Sequence, residues 1–382
     1  MKNKISLIHC ADLHLDAPFT GLGHGSVSQE RRNDLKEVFE KIIFLVQENN
    51  ADYLVISGDL FEHHYVRDST IHWLNRQFKK IADKQCILIP GNHDPFVSNS
   101  WYRSYPWHDN VRILTTNVPG FMDEQKGVYF YGIGFNTFRQ EQLPALVPPQ
   151  ITPDRINICL FHGTLDMSFT QSPYNPIDRR TLTDLGFDYY ALGHFHRKNT
   201  SYANEGFVNA GSPEPLGFDE PGEHGVFLVS LEKEAGQIRR EIQFLPIQKR
   251  FYQELELNIP RMEPGFQLQV ELMKLLECCN PEKDIMKISI GGRATHEHKM
   301  DIISMEEYLR GICFHIQLED LTEPDYDLDA LSEESNITGV FIRMMREKMD
   351  RAGDTERRNL EKALYLGLDA IFKGHIELDQ YQ

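Results

Sequence analysis

At 382 residues, 41% hydrophobic and 25% charged, the chain has the composition of a globular protein too long for one ordinary core. Its formal charge of −17 is unevenly spread: residues 1–250 hold 25 Lys+Arg against 30 Asp+Glu, a net of −5, and the remainder 15 against 27, a net of −12. No apolar run approaches the roughly 18–20 residues of a membrane helix, which excludes a helical span.

The N-terminal stretch Met1–His9 lacks the small-residue cleavage site of a signal peptide, so export is not expected. The six cysteines form no CxxC pair and three of them sit inside apolar runs, which fits a reducing cytoplasm. From Ile5 to Leu192 the chain alternates apolar, strand-like runs with helical stretches. The runs are Ile5–His9, Tyr53–Ser57, Cys86–Pro90, Ile156–Phe161 and Tyr189–Leu192. Between the first two, Gln29–Gln47 repeats Leu35, Val38, Phe39, Ile42, Ile43 and Val46 at helical spacing. Continuous apolar strands separated by helices predict a layered α/β domain with covered sheet faces. After Gly193 strands follow in succession, Gly206–Ala210, Gly225–Leu231 and Ile238–Leu245, which reads as sheet completion by hairpins. A boundary falls near Ile247–Phe251. Beyond it a helix over about Gly265–Cys278, a strand Ile285–Ile290, a second helix and a strand Ile312–Leu318 make a small α+β domain. Two helical stretches, Asn336–Arg351 and Thr355–Phe372, close the chain, and the acidic run Glu319–Glu334 reads as a solvated loop.

Each of the five apolar runs leads directly into a polar motif. These are Asp12-Leu13-His14, Gly58-Asp59, Gly91-Asn92-His93-Asp94, His162-Gly163 and Gly193-His194-Phe195-His196. Loops at the carboxyl ends of packed strands are where an α/β sheet presents its chemistry. Asp-x-His and His-x-His each place two donors on one side of an extended segment. Mixed imidazole, carboxylate and amide donors suit first-row divalent ions such as Mn²⁺, Fe²⁺ or Zn²⁺. Five such strand ends predict a pair of divalent metal ions at one site. Outside the five motifs, His296-Glu297-His298 reads as a surface strand, while His63 and His64 are either solvated or within reach of the site.

In order and type these blocks resemble the calcineurin-like metallophosphoesterase superfamily, whose pattern is DxH, GD, GNH[DE], H and GHxH. The resemblance implies an α/β fold: a layered β-sandwich core flanked by helices over 1–250, a smaller α+β capping domain over 251–330, and C-terminal helices over 331–382. It implies that Asp12, His14 and His196 bind one metal, that Asn92, His162 and His194 bind the other, and that Asp59 bridges them. His93 would protonate the leaving oxygen or stabilise the transition state, and Asp94 would orient or tune His93. A narrower resemblance, to SbcD-type DNA repair nucleases and the YhaO-like proteins, rests on His9–Phe19, Gly58–Phe61, Gly193–His196 and Asn209–Glu214 running into Glu220. It covers about residues 1–250. It implies Mn²⁺-dependent cleavage of DNA, a coiled-coil ATPase of the SbcC type as partner for the C-terminal helices, and a homodimer. The sequence departs from those nucleases at Glu62, where Asp or His is expected. The acidic charge favours a second reading, a small-molecule phosphodiesterase or phosphatase acting on nucleotides.

Overall fold

In the computed structural model, residues 2–22, 25–142, 149–167, 174–259, 268–295 and 302–373 are described. The chain divides into two compact units, Met1–Tyr252 and Gln253–Gln382. In the first, the elements follow in chain order as β1 Lys2–Cys10, α1 Ser26–Glu48, β2 Tyr53–Ser57, α2 Asp68–Lys79, β3 Gln85–Ile89 and the short α3 Trp101–Ser104. Then come β4 Val111–Ile113, β5 Gly120–Asp123, β6 Val128–Ile133, β7 Ile156–His162, α4 Arg179–Asp184 and β8 Tyr189–Gly193. The last three are β9 Phe207–Asn209, β10 Gly225–Glu234 and β11 Gln237–Pro246.

These strands form two sheets, ordered β11-β10-β1-β2-β3-β4 and β5-β6-β7-β8-β9. The runs β1 to β4 and β6 to β9 are parallel within each sheet. Between the sheets lies a core of Leu7, Tyr53, Val55 and Ile87 against Phe130, Ile158, Leu160, Tyr189 and Val208. Alternate residues of the same strands fill the outer layers. Ile8, Leu54 and Leu88 meet the α1 residues Leu35, Phe39, Ile42 and Val46, and Cys159, Phe161 and Tyr190 meet Leu182 and Phe187. Strands buried on both faces cannot alternate apolar with polar, which is why they read as unbroken apolar runs.

The expectation of hairpins after Gly193 is corrected in part. Phe207–Asn209 joins β8 in parallel at the sheet edge, and β10 crosses to the other sheet to lie antiparallel to β1. Of the three strands read after Gly193, β10 and β11 form the one hairpin, turned by Ala235 and Gly236 at φ 50° and 79°. Both values are left-handed, as a two-residue hairpin turn requires.

In the second unit, β12 Tyr252–Ile259, α5 Leu268–Leu276, β13 Ile285–Thr295, α6 Ile302–Leu309 and β14 His315–Asp325 give a three-stranded sheet, order β12-β13-β14. Strands β13 and β14 are parallel and joined through α6. Leu272, Leu276, Ile288, Ile290, Leu309 and Ile316 form its core. The helices α7 Leu328–Ser332, α8 Ile337–Arg351 and α9 Asp354–Lys373 follow. Helices α8 and α9 meet through Ile342, Met345, Leu364 and Leu368. The acidic run is therefore not a loop: inward Ile316 and Leu318 carry it into β14, and Asp327 caps α7 by accepting from the Ala330 N–H at 3.0 Å.

Candidate metal centre

Sheet pairing explains why the five motifs meet. The carboxyl ends of β1, β2 and β3 lie side by side in one sheet, those of β7 and β8 in the other, and the sheets are stacked face to face. At Gly193 they approach closely: a Cβ there would lie 2.2 Å from the Ser57 carbonyl oxygen and 2.8 Å from the Ala11 methyl. The geometry after β1 differs from the extended segment inferred from Asp-x-His. Asp12 and His14 are both left-handed, at φ 51° and 45°, and hydrogen bonds from their N–H groups to the Gly58 and Asp59 carbonyls hold them so. Asp59 and His194 also have positive φ, 51° and 102°. Left-handed non-glycine residues are costly, and here four of them cluster at one site.

The structure brings together Asp12, His14, Asp59, Asn92, His162, His194 and His196. Asp12, His14, Asp59 and His162 are almost completely buried. Donor atoms of Asp12, His14 and His196 lie within 4.8 Å of one another, as do those of Asp12, Asp59 and His162. Asn92 Oδ1 is 3.1 Å from both His162 Nε2 and His194 Nδ1. Asp59 Oδ2 faces both halves, 3.6 Å from His14 Nε2 and 3.2 Å from His162 Nε2.

Hydrogen bonds on the far side of three rings assign their tautomers. His162 Nδ1–H donates to the Ser57 carbonyl at 2.7 Å, His14 Nδ1–H to Glu62 at 2.8 Å and His196 Nδ1–H to Glu220 at 2.6 Å. Each ring is thus left with an Nε2 lone pair. The lone pairs of His14 and His196 face one another at 3.1 Å, and that of His162 faces the oxygens of Asp59 and Asn92. Electron pairs converging in a buried space fit a cation, and imidazoles oriented by a carboxylate or carbonyl behind them are the usual arrangement of metal-binding histidines. The carboxylates around the cluster favour positive charge in this space, whether a proton or a cation carries it. Burial works against a charged His162, yet Asp59 and Asp12 push it up to about 9. Burial also opposes a charge on His196, but Glu220, Asp12 and Asp59 push it up to about 9. His194 goes the other way, lowered to about 3 by burial and by the neighbouring His162, and so is a neutral donor.

At the rim stands His93, its side chain 45% exposed. Asp94 makes no hydrogen bond to His93, and only its charge reaches that ring, favouring the protonated form. Asp94 is buried beneath the loop, where it accepts from Gly91 N–H at 2.6 Å, Leu60 N–H at 2.7 Å and the Tyr102 hydroxyl at 2.6 Å. Its lone pairs are spent on shaping the Gly91–Asp94 turn, and burial with the charge of Asp59 pushes it up to about 6. Glu62 does the orienting expected of Asp94: it accepts from His93 Nδ1–H at 3.0 Å while also holding His14. Burial disfavours a charged His93, but the Glu62 bond and the charges of Asp59 and Glu62 push it up to about 8.

Three supporting residues have roles that the sequence reading did not assign. Glu220 accepts from Ser212 as well as His196, Ser57 sets the His162 tautomer through its carbonyl, and the Tyr174 ring packs 5.1 Å from that of His194. His64 stacks on Phe138 and His63 meets it edge-on, and neither belongs to a candidate metal-binding group among the described residues. His296-Glu297-His298 lies outside the described residues.

Comparison with known proteins agrees with this geometry. The Metallophos family, calcineurin-like phosphoesterase, matches residues 5–198, half of the chain and all five motifs. The uncharacterized metallophosphoesterase YhaO of Bacillus subtilis (strain 168) is 28% identical over 255 residues, 64% of this chain and 61% of that protein. The DNA double-strand break repair protein Mre11 of Methanopyrus kandleri is 26% identical over 255 residues, 59% of this chain and 54% of that protein. The chain thus spans less than two thirds of the length of either relative. Among solved structures, TT1561 of Thermus thermophilus aligns with a TM-score of 0.36 at 12% identity, covering 62% of this chain and 98% of its own. With its five motifs inside the matched region, the chain belongs to the calcineurin-like phosphoesterases, metal-dependent hydrolases of phosphate esters.

Proposed function

We propose that the chain is a two-metal phosphodiesterase that cleaves DNA. The observation that carries the reading is Asp59, one carboxylate facing donors of both halves of the cluster from between the sheets. Asp12, His14 and His196 would hold one divalent ion, Asn92, His162 and His194 the other, with Asp59 shared and Mn²⁺ the preferred metal. When bound, the pair supplies positive charge for a phosphate oxygen and acidifies water. His93 does the proton work. Its Nδ1–H is committed to Glu62, which leaves Nε2–H to donate to the leaving oxygen as the P–O bond breaks. Glu62 and Asp59 keep that proton on the ring near neutral pH.

DNA as substrate is supported by the relative named as a DNA double-strand break repair protein. A second reading, hydrolysis of small nucleotide esters, is favoured by the charge of −17, since Lys and Arg contacts supply most nonspecific affinity for DNA. The test incubates the protein and His93→Ala with Mn²⁺ and linear DNA, closed circular DNA, and cyclic and monoester nucleotides. Degradation of DNA by the native chain and loss of it in the variant is expected. Nucleotide turnover with intact DNA selects the second reading, and activity unchanged in the variant removes both.

We further propose an SbcC-type coiled-coil ATPase as partner for α8. Ile337, Val340 and Met344, at i, i+3 and i+7, are 73%, 47% and 54% exposed on one stripe. Replacing all three with Glu is expected to abolish co-purification with the ATPase while chromogenic diester hydrolysis persists; retained co-purification removes the partner assignment.

A further inference from the structure

The buried face of α1 does not begin with apolar residues. Arg31 and Asp34 stand at i and i+3 on the stripe that Leu35 and Val38 continue, and both are almost completely buried. Arg31 Nη1 donates to Asp34 at 2.8 Å and to Glu214, and Nη2 donates to the Pro215 carbonyl at 2.8 Å. The rings of Phe19 and Tyr252 face the guanidinium, with centres 5.2 and 5.8 Å away. A buried ion pair adds little net stability over apolar side chains of similar volume. What the planar guanidinium adds is direction, because its fork of donors fixes where each partner lies.

The partners belong to a segment whose course nothing else prescribes, since residues 210–224 form no helix or strand. At its centre is the Pro215–Leu216 peptide. The carbonyl accepts from Arg31 Nη2, and the N–H donates to Glu220 Oε2 at 3.1 Å. A peptide group is planar, so the bond that holds its oxygen also aims its N–H at Glu220. The other oxygen of Glu220 accepts from His196 Nδ1–H at 2.6 Å. The next carbonyl, that of Leu216, accepts from the Tyr252 hydroxyl at 3.2 Å.

We infer that Arg31 and Tyr252, neither of them a metal donor, are positioning residues for His196. Acting through the Pro215–Leu216 unit and Glu220, they set the direction of the His196 ring and with it the affinity of the centre for metal. The inference rests on the reading of His196 as a metal ligand.

Mn²⁺ calorimetry on the full chain tests it with Arg31→Lys, Glu220→Ala and the two combined. Lys keeps the charge that Asp34 and Glu214 face, but its single ammonium lacks the fork that reaches both carboxylates and the Pro215 carbonyl. Arg31→Lys is expected to weaken Mn²⁺ binding about tenfold, the lower end of the range for partners that orient a metal ligand. The double variant should bind no more weakly than Glu220→Ala, because the two residues act in series. Native affinity in Arg31→Lys overturns the inference. So do losses that multiply in the double variant, the mark of a residue that only supports the fold. A melt of the metal-free chain checks folding. If Arg31→Lys does not fold, Tyr252→Phe takes its place: a loss of roughly two- to tenfold, the worth of one neutral hydrogen bond, is expected, and native affinity overturns the inference.

A second readout needs no metal. In the metal-free chain labelled with ¹⁵N-histidine, the His196 Nδ1–H signal, assigned by its disappearance in His196→Gln, should be protected from solvent exchange and lose that protection in Arg31→Lys. Unchanged protection overturns the inference. Arg31-dependent protection in a chain that binds no Mn²⁺ would remove the metal reading and leave the positioning role standing.

Discussion

Glu62 accepts from two histidines with different duties, His14 in the donor cluster and His93 at its rim. Gln at this position keeps one accepting oxygen within reach of both rings, replaces the other with an amide N–H₂, and loses the charge that holds a proton on His93. Glu62→Gln is therefore expected to slow cleavage of alkyl phosphodiesters about 10²-fold or more, the scale of general-acid assistance. A p-nitrophenyl diester, whose leaving group needs no proton, should lose less than about tenfold. Equal losses on both would show that Glu62 acts only through His14. Glu220 acts from behind the cluster, and Glu220→Ala should weaken metal binding by about 10- to 100-fold in calorimetric titration, with the fold unchanged. The difference in legibility between these residues is physical. Every donor gathered at the site directly follows an apolar run, so its position at a strand end is a local property. Glu220 lies 24 residues from His196 in sequence and Ser57 lies 105 from His162, separations at which no pattern within a window says what meets what.

At the level of strands, the site depends on how closely β8 approaches β2 across the sandwich. A methyl group at position 193 would meet backbone, the Ser57 carbonyl, which cannot swing away as a side chain end can. Gly193→Ala is expected to destabilise the protein by about 1–3 kcal/mol, the usual cost of overpacking. It should also cut kcat/KM by more than about 100-fold, because the displaced carbonyl is the one that orients His162. A thermal melt and a diester assay check the two effects, and full activity in the variant would contradict the close-approach argument. The parallel strands β1, β2, β3, β7 and β8 were legible because burial on both faces makes them continuous apolar runs, whereas β6, equally buried, was not read as a strand. The short β4 and β5 were not, since three or four residues carry too little periodicity; β9 was read as a strand over Gly206–Ala210, but its parallel pairing with β8 was not. The direction of that pairing is decided by where the chain returns, which composition does not encode.

For the whole chain, charge is legible from the sequence and its use is not. The net of −12 beyond residue 250, against −5 before it, leaves the part with the five motifs the less repulsive to a polyanion. The second unit keeps its acidic groups on an ordered strand and helix, where Glu319 pairs with Lys287 at 3.0 Å. Divalent metal should change stability as well as activity. Stripping with a chelator is expected to lower the melting temperature, and Mn²⁺ at about 100 times its dissociation constant should restore roughly 2.7 kcal/mol; an unchanged melt would mean that the donor cluster binds no metal. The reason lies in the arrangement of the donors: Asp12, His14, Asp59 and Asn92 come from one sheet, and His162, His194 and His196 from the other. An ion held by both acts as a rivet through the open edge of the sandwich. When the rivet is out, that edge opens more often, and proteases in the cell act on opened chains. Metal starvation would then leave a cell with fewer copies of the protein, so the supply of a trace element would set its lifetime as well as its rate.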